Sequence, residues 1–271
     1  MINLQTYQPD KLSLFIKSFW CLQISDLAEN TYKEDIVPDG HHEIIFHCKP
    51  NSARRTEKND NWIDEPDSFL AGQNSRSYSL ELAGNSLLYG IRFYPYTLSS
   101  LFHFPADCIT DYILPLHEIP KTKILQDCIT KDPLQTFANF EKALMKLLEQ
   151  TDYLSGKSKC IQYSVDEIIK NNGDIKIENL VRHSGFSLKY FGTLFKQHVG
   201  ITPKSFSNII KLNYFINYKN SHPYKNLTEC AYEANYFDQS HLIRIFKEIT
   251  GKSPKEHFNS ANHINNYFSE L

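Results

Sequence analysis

A chain of 271 residues, 41% hydrophobic and 22% charged, suits a soluble globular protein with two domains of ordinary size. No stretch approaches the roughly 20 consecutive apolar residues of a membrane span. Residues 1–23 lack a basic start, a long apolar run and a small-residue cleavage site, so a cytoplasmic protein without a membrane partner is expected. The net charge of −2 conceals a division: residues 157–258 hold 15 Lys and Arg against 9 Asp and Glu, whereas residues 1–156 hold 14 against 21. Only the C-terminal part suits a polyanion. The six cysteines, at positions 21, 48, 108, 128, 160 and 230, are far apart and form no CxxC pair. That spacing argues against a zinc module or a disulfide framework and for reduced, mostly buried thiols.

In chain order, Ile36-Val37 leads into a Pro38-Asp39-Gly40 turn and then an alternating run. As a strand, that run puts Ile44, Phe46 and Cys48 on one face and His41, Glu43, Ile45 and His47 on the other. Residues 49–66 are polar and read as an exposed loop. Short apolar runs at 69–72, 78–82 and 87–93 follow. Strands of this length between Gly, Pro and Asn turns predict a β-rich domain over residues 1–115, a sandwich or a barrel. Residues 116–156 read as a helical connector, with Phe137, Phe140, Leu144, Leu147 and Leu148 at helical spacing after Pro133. Another amphipathic helix spans about 158–171 and stops at Asn171-Asn172-Gly173. From there to residue 258 the pattern is helical, and residues 259–271 form a tail. The fold class expected is α+β and multidomain.

The C-terminal part contains a repeat. Residues 191–206 and 242–257 align at an offset of 51: Phe195 with Phe246, Lys196 with Lys247, Gly200 with Gly251, and Thr202-Pro203-Lys204 with Ser253-Pro254-Lys255. Each copy is a helix closed by Gly, after which Thr or Ser caps the next helix and Pro takes its first position. A shorter helix and a tight turn precede each copy. The first turn uses Gly185-Phe186 with Ser187 as cap. The second uses Asn235-Tyr236 with Asp238 as cap, Asn being the best non-Gly residue for a positive φ. Helix, turn and capped helix is the helix-turn-helix pattern, and residues 203–220 read as one long helix joining two such units.

These segments, LVRHSGFSLKYFGTLFKQHVGITPKSF and LTECAYEANYFDQSHLIRIFKEITGKSPKEHF, resemble the AraC/XylS family of transcription regulators over about residues 160–258, which places a DNA-binding domain of that type at 157–258. The resemblance implies that the second helix of each unit enters a major groove, with the two insertions on one face of the duplex, roughly 34 Å apart. It also makes double-stranded DNA the partner, an activator a natural role, RNA polymerase a candidate contact and a homodimer a candidate state. Core spacing turns Phe191, Leu194, Phe195 and Val199 inward on the first recognition helix, and Leu242, Ile245, Phe246 and Ile249 on the second. The residues left for DNA are Lys189, Tyr190, Thr193 and Lys196 on the first, and Gln239, Ser240, His241, Ile243, Arg244 and Lys247 on the second. Arg244 suits guanine, Gln239 adenine and Ile243 a thymine methyl, while Lys196, Lys247 and the capped N-termini at Ser187 and Asp238 suit phosphate. Where family members often carry Ser-Arg or Gln-Arg, this chain has Gly192-Thr193. The loss of that Arg shifts base discrimination towards the second unit or towards Lys189.

The family pairs its DNA module with a sensing or dimerising domain, often a cupin-like barrel. Val37 to Phe46, with Gly72 and Arg92 to Pro95, resembles an uncharacterised domain found on such regulators. A small-molecule effector is therefore expected, with His41, Glu43, His47 and Arg92 as candidate ligand contacts. His41, Glu43 and His47 lack the spacing of a cupin metal site, so neither a metal nor a cofactor is expected. Arg92 within a strand suits either a carboxylate ligand or a structural ion pair. Two other readings stay open: a constitutive dimeric regulator without ligand, and a DNA-repair methyl-acceptor enzyme that would need an activated cysteine, for which Cys48 is the nearest candidate.

Overall fold

The computed structural model describes residues 1–25, 31–48, 53–56, 62–149, 156–260 and 264. The strands are β1 (Ile2–Tyr7), β2 (Ile16–Ile24), β3 (Thr31–Ile36), β4 (His42–His47) and β5 (Ala53–Thr56), then β6 (Trp62–Asp64), β7 (Ser68–Ala71), β8 (Tyr78–Ala83), β9 (Ser86–Phe93) and β10 (Ile113–Pro115). They form two antiparallel sheets, one of six strands in the order β1-β2-β9-β4-β7-β10 and one of four in the order β3-β8-β5-β6. The helices are α1 (Thr97–Phe102), α2 (Lys123–Gln126) and α3 (Pro133–Leu148), followed by α4 (Gly156–Lys170), α5 (Ile177–Ser184), α6 (Leu188–Val199), α7 (Pro203–Ser221), α8 (Leu227–Glu233), α9 (Gln239–Thr250) and α10 (Pro254–Phe258).

The larger sheet is covered on both faces, which is why β2 and β9 read as nearly unbroken apolar runs. On one face Phe19 and Phe46 pack on Phe140 of α3, with ring centres 5.7 and 5.4 Å apart. The stretch expected as a connector is thus folded into the N-terminal core through Phe137, Phe140, Ala143 and Leu144. On the other face Trp20, Leu22 and Leu88 meet Leu82 of the smaller sheet. Gly90, opposite Trp20 in the β2–β9 pairing, lets the indole lie flat on the strand: a Cβ there would sit 1.9 Å from the ring.

The reading of residues 49–66 as a loop needs correction. Ala53–Thr56 and Trp62–Asp64 are β5 and β6, paired with each other and, through Arg54 opposite Glu81, with β8. Backbone hydrogen bonding to a neighbouring strand defines them, and no alternation of apolar residues announces it. Residues 49–52 and 57–61 of that stretch, residues 150–155 of the connector and most of the tail lie outside the described residues. All six cysteines are free; Cys21, Cys128 and Cys230 are buried, Cys48 and Cys160 partly so, and Cys108 is exposed.

The C-terminal helices α4 to α10 pack around an aromatic core of Phe191, Phe195, Phe206, Phe215 and Phe246. Thr202 and Ser253 cap α7 and α10, each with Pro at the start of the helix. Lys211 of α7 ties the two halves together. Its ammonium donates to Asp174 Oδ1 before α5 (2.8 Å) and to the Asn235 carbonyl after α8 (2.6 Å).

Buried histidines mark the junction between the N-terminal sheets and these helices. His42 is fully buried, with its ring beside the Pro95 and Val199 carbonyls, and burial pushes its pKa down to about 3. Burial, reinforced by Lys252, takes His257 of α10 down to about 4. Both lie below the value near 6.5 of an unfolded histidine. The unfolded chain therefore binds protons that the folded chain refuses, so their stabilisation is complete above about pH 6.5 and declines as pH falls towards 4. Urea midpoints measured from pH 7.5 down to 4.5 should fall accordingly. His42→Leu should flatten that fall by up to about 1.4 kcal/mol per pH unit; an identical slope in the variant would contradict the assignment.

Candidate nucleic-acid interface and effector cavity

Helices α6 and α9 are built alike. Ser187 Oγ accepts from the Tyr190 amide and Asp238 Oδ1 from the His241 amide, so each helix starts on a side-chain cap. Gly185 and Asn235 turn the preceding chain with φ of +71° and +56°. Phe191, Leu194, Phe195 and Val199 are buried on α6, and Leu242, Ile245, Phe246 and Ile249 on α9. With its apolar stripe committed to the core, each helix turns its polar residues outward. Ser187, Lys189, Tyr190, Thr193 and Lys196 are exposed on the first unit. On the second, Ser240, Arg244 and Lys247 are exposed, while Gln239, His241 and Ile243 are half-buried.

Several of these side chains have internal partners. Gln239 Oε1 accepts from Thr228 Oγ1 at 2.9 Å, and Thr193 Oγ1 donates to the Lys189 carbonyl at 3.1 Å. Tyr190 stacks edgewise on Phe186, and Lys157 reaches over its ring at 5.8 Å. Burial, followed by Arg244 and Lys211, lowers the pKa of His241, favouring the neutral ring that can both donate and accept.

The C-terminal ends of both helices dock on the N-terminal domain, at equivalent places in the repeat. On α6, His198 Nδ1 lies 2.9 Å from Ser99 Oγ, the Gly200 carbonyl accepts from Thr110 Oγ1 at 2.6 Å, and Lys196 pairs with Asp107 at 3.7 Å. On α9, the Ile249 carbonyl accepts from the Ser77 amide at 2.8 Å, and Lys252 just beyond pairs with Asp35. Among the proposed DNA contacts, Lys196 is thus already tied to an acid, and only half of its side chain is exposed.

The four candidate ligand contacts divide into two groups. Arg92, 2% exposed, pairs with Asp39 and, at 3.0 Å, with Glu43, and its Nη2 lies 3.4 Å from His41 Nδ1. Of the two roles open to Arg92, the structural ion pair is the one present. The guanidinium holds Asp39 well below the usual carboxylate range, whereas burial raises Glu43. His47 sits at the far end of β4 and pairs with Glu65 at 3.2 Å, so it does not join His41 and Glu43. Cys48 is half-buried, and burial lifts its thiol to about 11. That is the reverse of the depressed pKa an activated cysteine needs.

Between the two sheets and the C-terminal helices lies a cavity with about 820 Å³ of atom-free space, its mouth included. Trp20, Leu22, Leu80, Leu82 and Leu88 give it an apolar wall, and Asp39, Glu43, Glu65 and Arg92 a charged one. Asn213 of α7 and His257 of α10 complete it from the C-terminal side. Sequence reasoning found Glu43 and Arg92 and missed Asp39, Glu65, Asn213 and His257. Asp39 carried one signal, since a strand arginine flanked by buried positions requires acidic partners.

Residues 5–115 match a domain family of unknown function (DUF6597), and residues 180–260 match a helix-turn-helix domain family. Among solved structures, ToxT from Vibrio cholerae aligns over 94% of this chain and 98% of its own at 13% identity, with a TM-score of 0.48. ToxT with an unsaturated fatty acid bound aligns over 94% of each chain at 16% identity, with a TM-score of 0.45. The AraC-like transcriptional activator CuxR aligns over 98% of this chain and 84% of its own at 10% identity, with a TM-score of 0.19. Comparison with curated protein sequences gives no match. The two capped helices and their shared core lie in the stretch that matches an AraC-type helix-turn-helix domain, which follows an N-terminal domain of unknown function.

Proposed function

We propose that this chain is a sequence-specific transcription regulator that reads adjacent major grooves of one duplex with α6 and α9, under the control of a small molecule at its N-terminal domain. The observation that carries this reading is the matched pair of capped helices. Each buries an apolar stripe of four residues and leaves its N-terminal polar face open. Lys189, Tyr190 and Thr193 would meet the first groove, and Gln239, Ser240, His241, Ile243 and Arg244 the second, with Ser187, Lys196 and Lys247 positioning the backbone. Arg244 is the exposed arginine on α9, whereas α6 offers Thr193 at the place where members of the AraC/XylS family it resembles often carry arginine, so the second unit takes the larger share of base discrimination. The cavity supports control by an effector because its wall includes β2, β4 and β9 on one side and α7 and α10 on the other. A ligand there would contact both domains and so change their relative free energy in any state where they separate.

Arg244→Ala should weaken binding to a site selected from a random duplex library by about 1–3 kcal/mol, with a much smaller loss on unrelated DNA, both read by fluorescence anisotropy at one fixed salt concentration. Equal losses on both would reduce Arg244 to a phosphate contact. The pairing of Lys196 with Asp107 competes with phosphate for the same ammonium. Asp107→Asn should therefore tighten binding to any duplex by less than about 1 kcal/mol, the range of a half-exposed ion pair, and steepen its salt dependence. Weaker binding in that variant would show instead that Asp107 orients α6 for DNA.

A further inference from the structure

The charges around the cavity specify more than the presence of a ligand. Arg92, the one Lys or Arg among the described lining residues, is committed to Asp39 and Glu43. His257, the histidine among the described lining residues, is held neutral by burial. The acids are not used up in the same way. Both hydrogen bonds of Glu43, from Trp20 Nε1 at 3.2 Å and Arg92 Nη1 at 3.0 Å, fall on Oε1, and no donor among the described residues reaches Oε2. Glu65 likewise takes His47 on Oε2, with no described donor on Oε1. Lys17 lies near Arg92, which helps to lower its pKa after burial, but it does not line the cavity. Carboxylate oxygens without donors among the described residues thus stand beside an apolar wall, and the described lining cation is already neutralised.

Resting on the reading of this cavity as an effector site, we propose that it takes an amphiphilic cation. An apolar body would lie along Trp20, Leu80 and Leu88, and an ammonium or amidinium head would donate to Glu43. An anionic head would face Glu43 and Glu65 with no uncommitted positive partner among the described lining residues, and leaving like charges together at low dielectric is unfavourable. A cationic head supplies the missing donors and makes charge-assisted hydrogen bonds, the strong kind. The same ligand would touch Asn213 or His257, which ties its binding to the placement of α7 and α10.

The test uses one tail with three heads: n-decylamine, n-decanol and decanoate, each below its critical micelle concentration, with the full chain at pH 7.5, by isothermal titration and thermal unfolding. Decylamine should bind saturably and raise the unfolding temperature, with a Kd at least about tenfold below that of decanol, and decanoate should give no saturable binding. Glu43→Gln should remove most of the amine's advantage while leaving decanol nearly unchanged, and Leu80→Trp, which fills the cavity, should abolish both. If Glu43→Gln does not fold, the contrast between decylamine and decanoate on the native chain decides alone. Decanoate binding as tightly as decylamine, and lost in Leu80→Trp, would overturn the cationic class while leaving an effector cavity in place. Saturable binding of none of the three would overturn both the cationic class and the cavity as an effector site, and the DNA reading, tested at Arg244, would stand apart.

Discussion

The structure depends on how α6 and α9 spend their apolar faces. A helix of twelve residues is marginal alone in water, and each of these gains its stability by burying four large side chains against α7 and its neighbours. Once Phe195 and Phe246 are fixed in that core, the rotation of each helix is fixed too, and Lys189 and Arg244 have nowhere to go but outward. The caps at Ser187 and Asp238 then define where each helix begins and leave the partial positive charge of its N-terminus at the surface. On the proposed reading, recognition is a by-product of packing: the side offered to DNA is the side the core does not need.

A second constraint acts on the pair. Two helices can read neighbouring grooves only if their separation is held. Lys211 braces the halves from within α7 by gripping Asp174 and the Asn235 carbonyl. The N-terminal domain grips them from outside, at the end of α6 through Ser99, Thr110 and Asp107 and at the end of α9 through Ser77 and Asp35. Most of these contacts lie at the ends away from the capped N-termini, and docking and the proposed DNA binding overlap at Lys196, which pairs with Asp107. The cavity between the sheets and the C-terminal helices adjoins this junction through Asn213 and His257, placing the proposed sensing site within a few side chains of the brace.

Much of the DNA module was legible in the sequence because its signals are local. The repeat at an offset of 51 residues, the Ser, Asp and Thr caps, the Pro at first positions and the four-residue stripes all follow from contacts within a few turns of helix. The N-terminal domain was legible only in outline. The alternation in β4 marked its faces, yet β5 and β6 were hidden because backbone pairing, of β5 with β8 and of β6 with β5, defines them without an alternation of apolar residues. The ion cluster was hidden for a similar reason: Asp39 and Arg92 are 53 residues apart, and only the β4–β9 register brings Glu43 opposite Arg92. The docking of Lys196 on Asp107 joins two domains, and neither residue type nor spacing announces it.

The most direct test of the central claim is hydroxyl-radical footprinting of the full chain on a duplex selected for tight binding. A single chain that inserts α6 and α9 into neighbouring grooves should protect two short windows on one face of the DNA, their centres about 10 base pairs apart. Replacing Arg244 should fade one window before the other. One continuous window, or two whose spacing bears no relation to the helical repeat, would contradict the account.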